Sequence, residues 1–273
     1  MQDIGSVGFL GGGNMAEAIF AGLRAAGMPG ERIFVGEPRA ERCEELRARY
    51  GVQAAPDNAA LIAHSDTLLL AVKPQVMQAV LGEESEALQS RRPLLLSIAA
   101  GLPAARLVEW AGGGLALVRC MPNTPALVGA GVSGLYAPDT VDAEQRARSE
   151  AIMRAVGPAY WVDSEAQLDA LTAISGSGPA YFFAMIEHLG RAGRELGLDA
   201  ELAAALARET AYGAAKLLRE SGEAPGTLRE RVTSPGGTTA EALKAFQAGN
   251  FEGLVENAVR ACARRAAELA AQA

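Results

Sequence analysis

The chain is short of the residues from which many catalytic centres are built. Of its 273 residues, two are histidine (His64 and His188) and three are cysteine (Cys43, Cys120 and Cys262). Neither histidine has a second ligand-type residue at metal spacing, and the three widely separated cysteines show neither a zinc-site pattern nor an obvious disulfide framework. No metal centre and no Ser/His/Asp triad are therefore expected, and the cysteines read as small buried hydrophobes. Aromatics are scarce too, at 5% against 49% for hydrophobic residues overall, so the core must be built mainly from Ala, Val, Leu and Ile. No dense Lys/Arg run is present, and 32 acidic against 25 basic residues leave a net charge of -7, which argues against nucleic acid as a partner. Apolar runs such as 68–72 are far shorter than a membrane span, and the N-terminal MQDIGSVGFL has no basic region. No membrane association is expected, and the expected location is cytoplasmic.

What the chain does have is alternation. Short β-rich runs at 4–10, 33–35, 67–72, 94–98 and 115–120 are separated by amphipathic stretches at 14–26, 39–50, 76–81 and 104–110, the pattern of βα units and a parallel sheet. Runs at 131–136 and 159–162 add edge strands, with a helix at 143–156 between them. After about Asp163 the strands largely disappear, and helices are expected at 177–196, 200–219, 239–248 and 251–271. The predicted fold is thus an α/β N-terminal domain over 1–163 followed by an all-α domain over 164–273. The helix from Ser177 is apolar on most of its faces and so needs partners on every side.

The first strand runs directly into GGGNMA (11–16) and then a helix, matching G-x-G-x-x-A in the context that makes it informative. Gly11 allows the tight turn, Gly13 lets the backbone approach a pyrophosphate, and Ala16 permits close packing of helix on strand. Amides near Asn14 and Met15 then face the phosphates. The second strand ends at Gly36 and Glu37, where an acidic side chain accepts hydrogen bonds from ribose hydroxyls and favours NADH. Arg39, two residues on, could instead clasp a 2′-phosphate. The residues leave NADPH and NADH both open.

Three further segments stand at or just after strand ends: AVKP (71–74), SIAAG (97–101) and MPNTP (121–125). These are expected to floor a nicotinamide site. Asn58, Ala71, Lys73, Pro74, Ala99 and Asn123 complete the expected cofactor contacts. Lys73 reads as a catalytic acid, a positive charge near the phosphates, or a structural lysine. In the second half, SGSGPAY (175–181) and SPGGTT (234–239) are hydroxyl-rich and glycine-rich turns leading into helices. Ser234, Gly236, Gly237, Thr238 and Thr239 could hold a carboxylate at a helix N-terminus without any arginine, where the bland alternative is helix capping by Ser or Thr.

In this order, GFLGGGNMA, AVKP, SIAAG, MPNTP, SGSGPAY and SPGGTT resemble the pyrroline-5-carboxylate reductase family over nearly the whole chain. The resemblance implies a Rossmann-like N-terminal domain and a helical C-terminal substrate-binding and dimerisation domain that interlocks with its twin, with dimers able to form a larger ring. It implies hydride transfer from NADPH or NADH to the imine carbon of 1-pyrroline-5-carboxylate, giving L-proline, the last step of proline biosynthesis. Thr239 would be the catalytic residue, its hydroxyl at the ring nitrogen, while Ser234 and the amides of Gly236 to Thr238 grip the carboxylate. Gly36 and Glu37 depart from the small hydroxyl or amide residues often found there, which puts the family's usual NADPH preference in doubt. Two rival readings are a β-hydroxyacid dehydrogenase-like reductase, against which the lysine-free stretch 177–196 counts, and a non-catalytic dinucleotide-sensing module, against which the full SPGGTT counts.

Overall fold

The computed structural model describes residues 4–271. One sheet of eight strands organises the first part of the chain: β1 (Val7–Leu10), β2 (Ile33–Gly36), β3 (Gln53–Ala54), β4 (Thr67–Leu70), β5 (Leu94–Ser97), β6 (Leu117–Met121), β7 (Ser133–Tyr136) and β8 (Ala159–Trp161). Their order is β3-β2-β1-β4-β5-β6-β7-β8, and every pairing is parallel except β6 with β7. Between the strands lie α1 (Asn14–Ala25), α2 (Ala40–Tyr50), α3 (Asn58–Ala63), α4 (Pro74–Glu83), α5 (Ser85–Arg91), α6 (Ala104–Trp110) and α7 (Ala143–Arg154), and α8 (Glu165–Leu171) follows the last strand.

The central strands are apolar on both faces because helices cover both. Successive side chains alternate between two cores, as the twofold period of a strand requires. Val7, Phe9, Leu69, Leu94, Leu96 and Val118 join Ile19, Phe20 and Leu23 of α1 on one side. Leu10, Leu68, Leu70, Leu95 and Leu117 join Leu61, Met77, Leu81 and Leu107 on the other. Three aromatics brace α1: Phe20 meets Phe9 edge-on with ring centres 5.4 Å apart and Tyr50 at 5.2 Å.

β1 is shorter than the run from residue 4 suggested. The Ser6 amide donates to Asp66 Oδ2 at 2.8 Å, so a carboxylate takes the donor that a longer ladder would have used. The pieces not expected from the sequence include β3, α3, α5, α8 and a helix at Pro225–Arg231, all of them short, and local caps begin two of them. Asp57 accepts the Ala60 amide at 2.7 Å to start α3, and Ser164 accepts the Gln167 amide at 3.3 Å to start α8.

Contacts divide the chain into one unit of residues 1–177 with 262–273 and a second unit of residues 178–261. The expected boundary at 163 marks where strands end. α8 lies beyond it but packs on the sheet: Leu168 is buried, and a Cβ on Gly134 of β7 would come within 2.5 Å of Leu171. A π-helical turn, Thr172–Gly176, follows α8.

The second unit holds α9 (Gly178–Glu195), α10 (Ala200–Ser221), α11 (Pro225–Arg231), α12 (Thr238–Ala248) and the first part of α13 (Phe251–Ala271). α9 and α10 approach closely through small residues: a Cβ on Gly193 would lie 3.2 Å from that of Ala203. Among the described residues of this unit only Gly178, Ala203 and Ala207 are buried. Phe182 and Phe183 on α9, Tyr212 on α10 and Leu254 on α13 are 63% exposed or more. One copy of this unit has almost no core of its own.

Candidate functional site

β2, β1, β4, β5 and β6 are mutually parallel, so their carboxyl ends share one edge of the sheet. Leu10 of β1 is in register with Gly36 on one side and Leu70 on the other. The chain winds outwards from this pair in both directions, making it the topological switch point at which open parallel sheets take ligands. Five of the stretches singled out in the sequence reach this edge: Gly11 after β1, Glu37 after β2, Ala71 after β4, Ala99 after β5 and Asn123 after β6.

Gly11 adopts φ +108°, and its amide donates to the Gly36 carbonyl at 2.8 Å. A Cβ there would lie 3.0 Å from the Ala71 carbonyl oxygen. Gly13 is exposed, with nothing within 4 Å of where a Cβ would project, and it opens α1 with no side-chain cap. The amides around Asn14 and Met15 therefore begin a helix whose first donors lack intrahelical partners, while Ala16, 1% exposed, packs into the core beneath. Bare glycine backbone, a close strand crossing and an uncapped helix start together fit the pyrophosphate of a dinucleotide.

Glu37 turns back onto this loop. Its Oε2 accepts the Gly12 amide at 3.2 Å, and its Oε1 accepts Arg39 Nε at 2.7 Å and the Arg39 amide at 3.3 Å. The hydrogen bond from the Arg39 side chain is the largest of the effects that hold the Glu37 carboxyl below its ordinary pKa, outweighing the opposing effect of burial. Asn58, the first residue of α3, stands beside the same strand end: a Cβ on Gly36 would lie 3.1 Å from its Oδ1.

Lys73 is exposed immediately before α4, and Pro74 takes the first helical position, where its fixed φ and missing donor are tolerated. Ala99 is 8% exposed, with its amide directed at Ser97 Oγ 3.3 Å away. Asn123 is also buried, and both ends of its amide are engaged within the protein. Nδ2 donates to the Ser175 carbonyl at 3.0 Å, and Oδ1 accepts the Val132 amide at 2.9 Å. Asn123 thus ties the turn after β6 to the π-helical turn, a role that its place in MPNTP did not announce.

Sequence reasoning missed Gly12 and Arg42. The Gly12 carbonyl accepts Arg42 Nε at 3.2 Å, and the same guanidinium pairs with Glu17 and Glu45. Arg42 reads in the sequence as one more solvated helical arginine. Its distinguishing feature, reach across to the glycine turn, exists only once α2 is folded onto α1.

In the second unit, SPGGTT forms a tight turn followed by α12. The Gly237 amide donates to the Ser234 carbonyl at 2.9 Å across Pro235 and Gly236, and Gly236 has φ +70°, the geometry of a type II turn. α12 starts at Thr238 after Gly237, with no side-chain cap. The bland alternative of Ser or Thr capping is therefore not what these hydroxyls do. Ser234, Gly236 and Thr238 are exposed, while Gly237 and Thr239 are half-buried, around a helix start whose first amides have no intrahelical partner.

His64 and the cysteines have structural surroundings, while His188 is exposed on α9. His64 Nδ1 lies 2.8 Å from the Ala60 carbonyl, with its ring stacked on Phe34. All three cysteines are free, and burial pushes the Cys120 thiol up to about 12. Among the described residues no group of His, Cys, Asp or Glu could hold a metal, and no helix is long and apolar enough to cross a membrane.

A parallel sheet with a glycine turn at its switch point and a separate helical unit defines an NAD(P)H-dependent oxidoreductase of Rossmann type. Residues 6–101 match the family model described as NADP oxidoreductase coenzyme F420-dependent, and residues 165–269 match that described as pyrroline-5-carboxylate reductase dimerisation. The chain is 47% identical to the pyrroline-5-carboxylate reductase of Pseudomonas aeruginosa, with 97% of each chain covered. Among solved structures it resembles a pyrroline-5-carboxylate reductase from Coxiella burnetii at 40% identity and TM-score 0.93, covering 98% of this chain and 99% of that one. It also resembles the Plasmodium falciparum pyrroline carboxylate reductase with NADP bound, at 31% identity and TM-score 0.86, covering 99% of both. The chain belongs to the pyrroline-5-carboxylate reductase family. It forms homo-oligomers, consistent with the dimerisation model and the uncovered apolar residues of its helical unit.

Proposed function

We propose that the protein reduces 1-pyrroline-5-carboxylate to L-proline, with the cofactor on the Gly11 to Ala16 turn and the substrate carboxylate on the Ser234 to Thr239 loop. The observation that carries this reading is the start of α12 after Gly237, which no side chain caps although Ser234, Thr238 and Thr239 stand around it. A single carboxylate satisfies several such donors at once, helped by the positive end of the helix.

Bound NAD(P)H supplies the hydride that the imine carbon receives. The protein's own contribution is orientation. Ser234 and the amides of Gly236 to Thr238 fix the carboxylate, which limits the orientations open to the ring. The Thr239 hydroxyl holds the ring nitrogen. A cyclic imine can enter already protonated, so Thr239 orients or relays a proton and need not act as a strong acid. That economy suits a chain with only two histidines.

The apolar surface of α9, α10 and α13 supports an interlocked dimer of two helical units, with larger rings built from such dimers. Exposed Phe182, Phe183 and Tyr212 are the side chains that such an interlock covers. Three free cysteines and the lack of a spanning helix among the described residues support a cytoplasmic location.

The test offers purified protein pyrroline-5-carboxylate or small β-hydroxyacids with the matching redox form of each cofactor. Oxidation of NADH or NADPH with the imine, and no reaction with the hydroxyacids, is expected. Turnover confined to hydroxyacids would sink the proposal.

A further inference from the structure

We infer that Glu37 makes this chain prefer NADH to NADPH, by presenting a carboxylate where the 2′-phosphate of NADPH would have to sit. The inference rests on the dinucleotide reading of the Gly11 to Ala16 turn. In folds of this kind the end of the second strand faces the adenosine ribose.

The side chain at that place is built in and is not a loose surface acid. The Glu37 side chain is 7% exposed, against 68% for that of Arg39. A Cβ on Gly12 would come within 3.2 Å of Glu37 Cβ, so the acid packs directly on the glycine turn. An ionised carboxylate has about four acceptor positions. Three are taken, by the Gly12 amide and by the Arg39 amide and Nε. The remaining one accepts a ribose hydroxyl, which brings a proton to the contact. A 2′-phosphate brings only oxygen and negative charge.

The cations nearby do not reverse this. Arg39 is the residue best placed to clasp a phosphate, yet its charge is already matched by Glu37 in a 2.7 Å ion pair. Arg42 is matched by Glu17 and Glu45. Beside Glu37 lies a cavity of about 500 Å³, walled by Pro38, Ala40, Cys43, Ala54, Ala55 and Pro56. Its apolar sides suit an adenine ring, and the charged residues on its rim, Glu37, Glu44 and Arg47, sum to a negative charge. An entering phosphate would meet Arg47 on a rim that also carries Glu37 and Glu44, and would gain Arg39 only by breaking the Glu37–Arg39 pair.

The experiment compares dissociation constants, without substrate, for NADH, NADPH, AMP and adenosine 2′,5′-bisphosphate, and then kcat/KM for the two cofactors with the imine. Parent protein is expected to favour NADH over NADPH about tenfold or more in both measurements, and AMP over the bisphosphate. Glu37→Ser, which frees Arg39, is expected to tighten NADPH and the bisphosphate and to weaken NADH, bringing the ratio to unity or below. Arg39→Ala is expected to leave NADH preferred. Tighter binding of the 2′-phosphorylated ligands by the parent, or a ratio unmoved by Glu37→Ser, would overturn the inference. Cofactor discrimination without turnover of the imine would sink the proposed reaction and leave this inference standing.

Discussion

Gly11 and Ala71 touch across the switch point of the sheet, with the carbonyl oxygen of Ala71 3.0 Å from the place where a side chain on Gly11 would begin. Gly11→Ala would therefore force a φ of +108° on a residue with a Cβ and also press that carbon against backbone. Strain of this kind costs about 1–3 kcal/mol. Denaturant unfolding at fixed protein concentration should register that loss, and fluorescence titration should register weaker binding of both cofactors. An alanine variant as stable as the parent, with unchanged affinities, would mean that the turn relaxes freely.

Much of this edge was legible in the sequence because its signals are local. Continuous apolar runs between glycine-rich breaks give buried parallel strands, and a glycine turn between strand and helix has few other uses. α5, α8 and β3 were not legible, since each is held by packing or caps that no short window reveals. α8 joins the sheet unit through Leu168 and Leu171 against Gly134, a contact between distant residues. Asn123 was expected to contact the cofactor, and its tie to Ser175 was not legible, because a π-helical turn has no simple periodicity to read. The Glu37–Arg39 pair was visible only as two opposed arguments about the cofactor; its geometry turns them into one.

Arg119 of β6 is 5% exposed and pairs with Glu165 at 2.8 Å and Asp169 at 3.6 Å, joining the sheet to α8. Glu165 also accepts the Ala104 amide that opens α6. Arg119→Ala removes the cation from two partly buried acids and should cost about 3 kcal/mol. Arg119→Met with Glu165→Gln should recover part of that loss by removing an unpaired charge and refilling the space. Urea midpoints of the parent, single and double variants at one protein concentration test the coupling; strictly additive losses would count against it.

Glu17 links α1 to α2 through Arg42, Arg49 and Tyr50. Burial raises its pKa, but the hydrogen bonds from Arg42 and Tyr50 and the charges of Arg42 and Arg49 outweigh that effect and hold the carboxyl below its ordinary value. A group depressed in the folded state stabilises above its unfolded pKa, about 4.3 for glutamate, and that contribution disappears as pH falls through the folded value. Glu17→Gln should therefore destabilise by about 1 kcal/mol at pH 7, and the gap from the parent should shrink between roughly pH 4.5 and pH 3. A gap that stays constant to pH 3 would show that packing, and not charge, is what Glu17 contributes.

Thr239 is half-buried in the first turn of α12, and that turn has no side-chain cap for its hydroxyl to supply. Removing the hydroxyl should therefore leave the fold intact, all the more because alanine is the better helix former by a few tenths of a kcal/mol. Its proposed task is to hold the ring nitrogen, an interaction needed as hydride arrives and of little use to the fold. Thr239→Ala should accordingly lower kcat at saturating imine by about fivefold or more, a barrier increase of about 1 kcal/mol, while the thermal midpoint and cofactor affinity stay near the parent values. Thr239→Ser, which keeps an oxygen in reach, should recover most of the rate. If Thr239→Ala turns over like the parent at saturation, the carboxylate grip of Ser234 to Thr238 alone orients the ring, and Thr239 has no part in the chemistry.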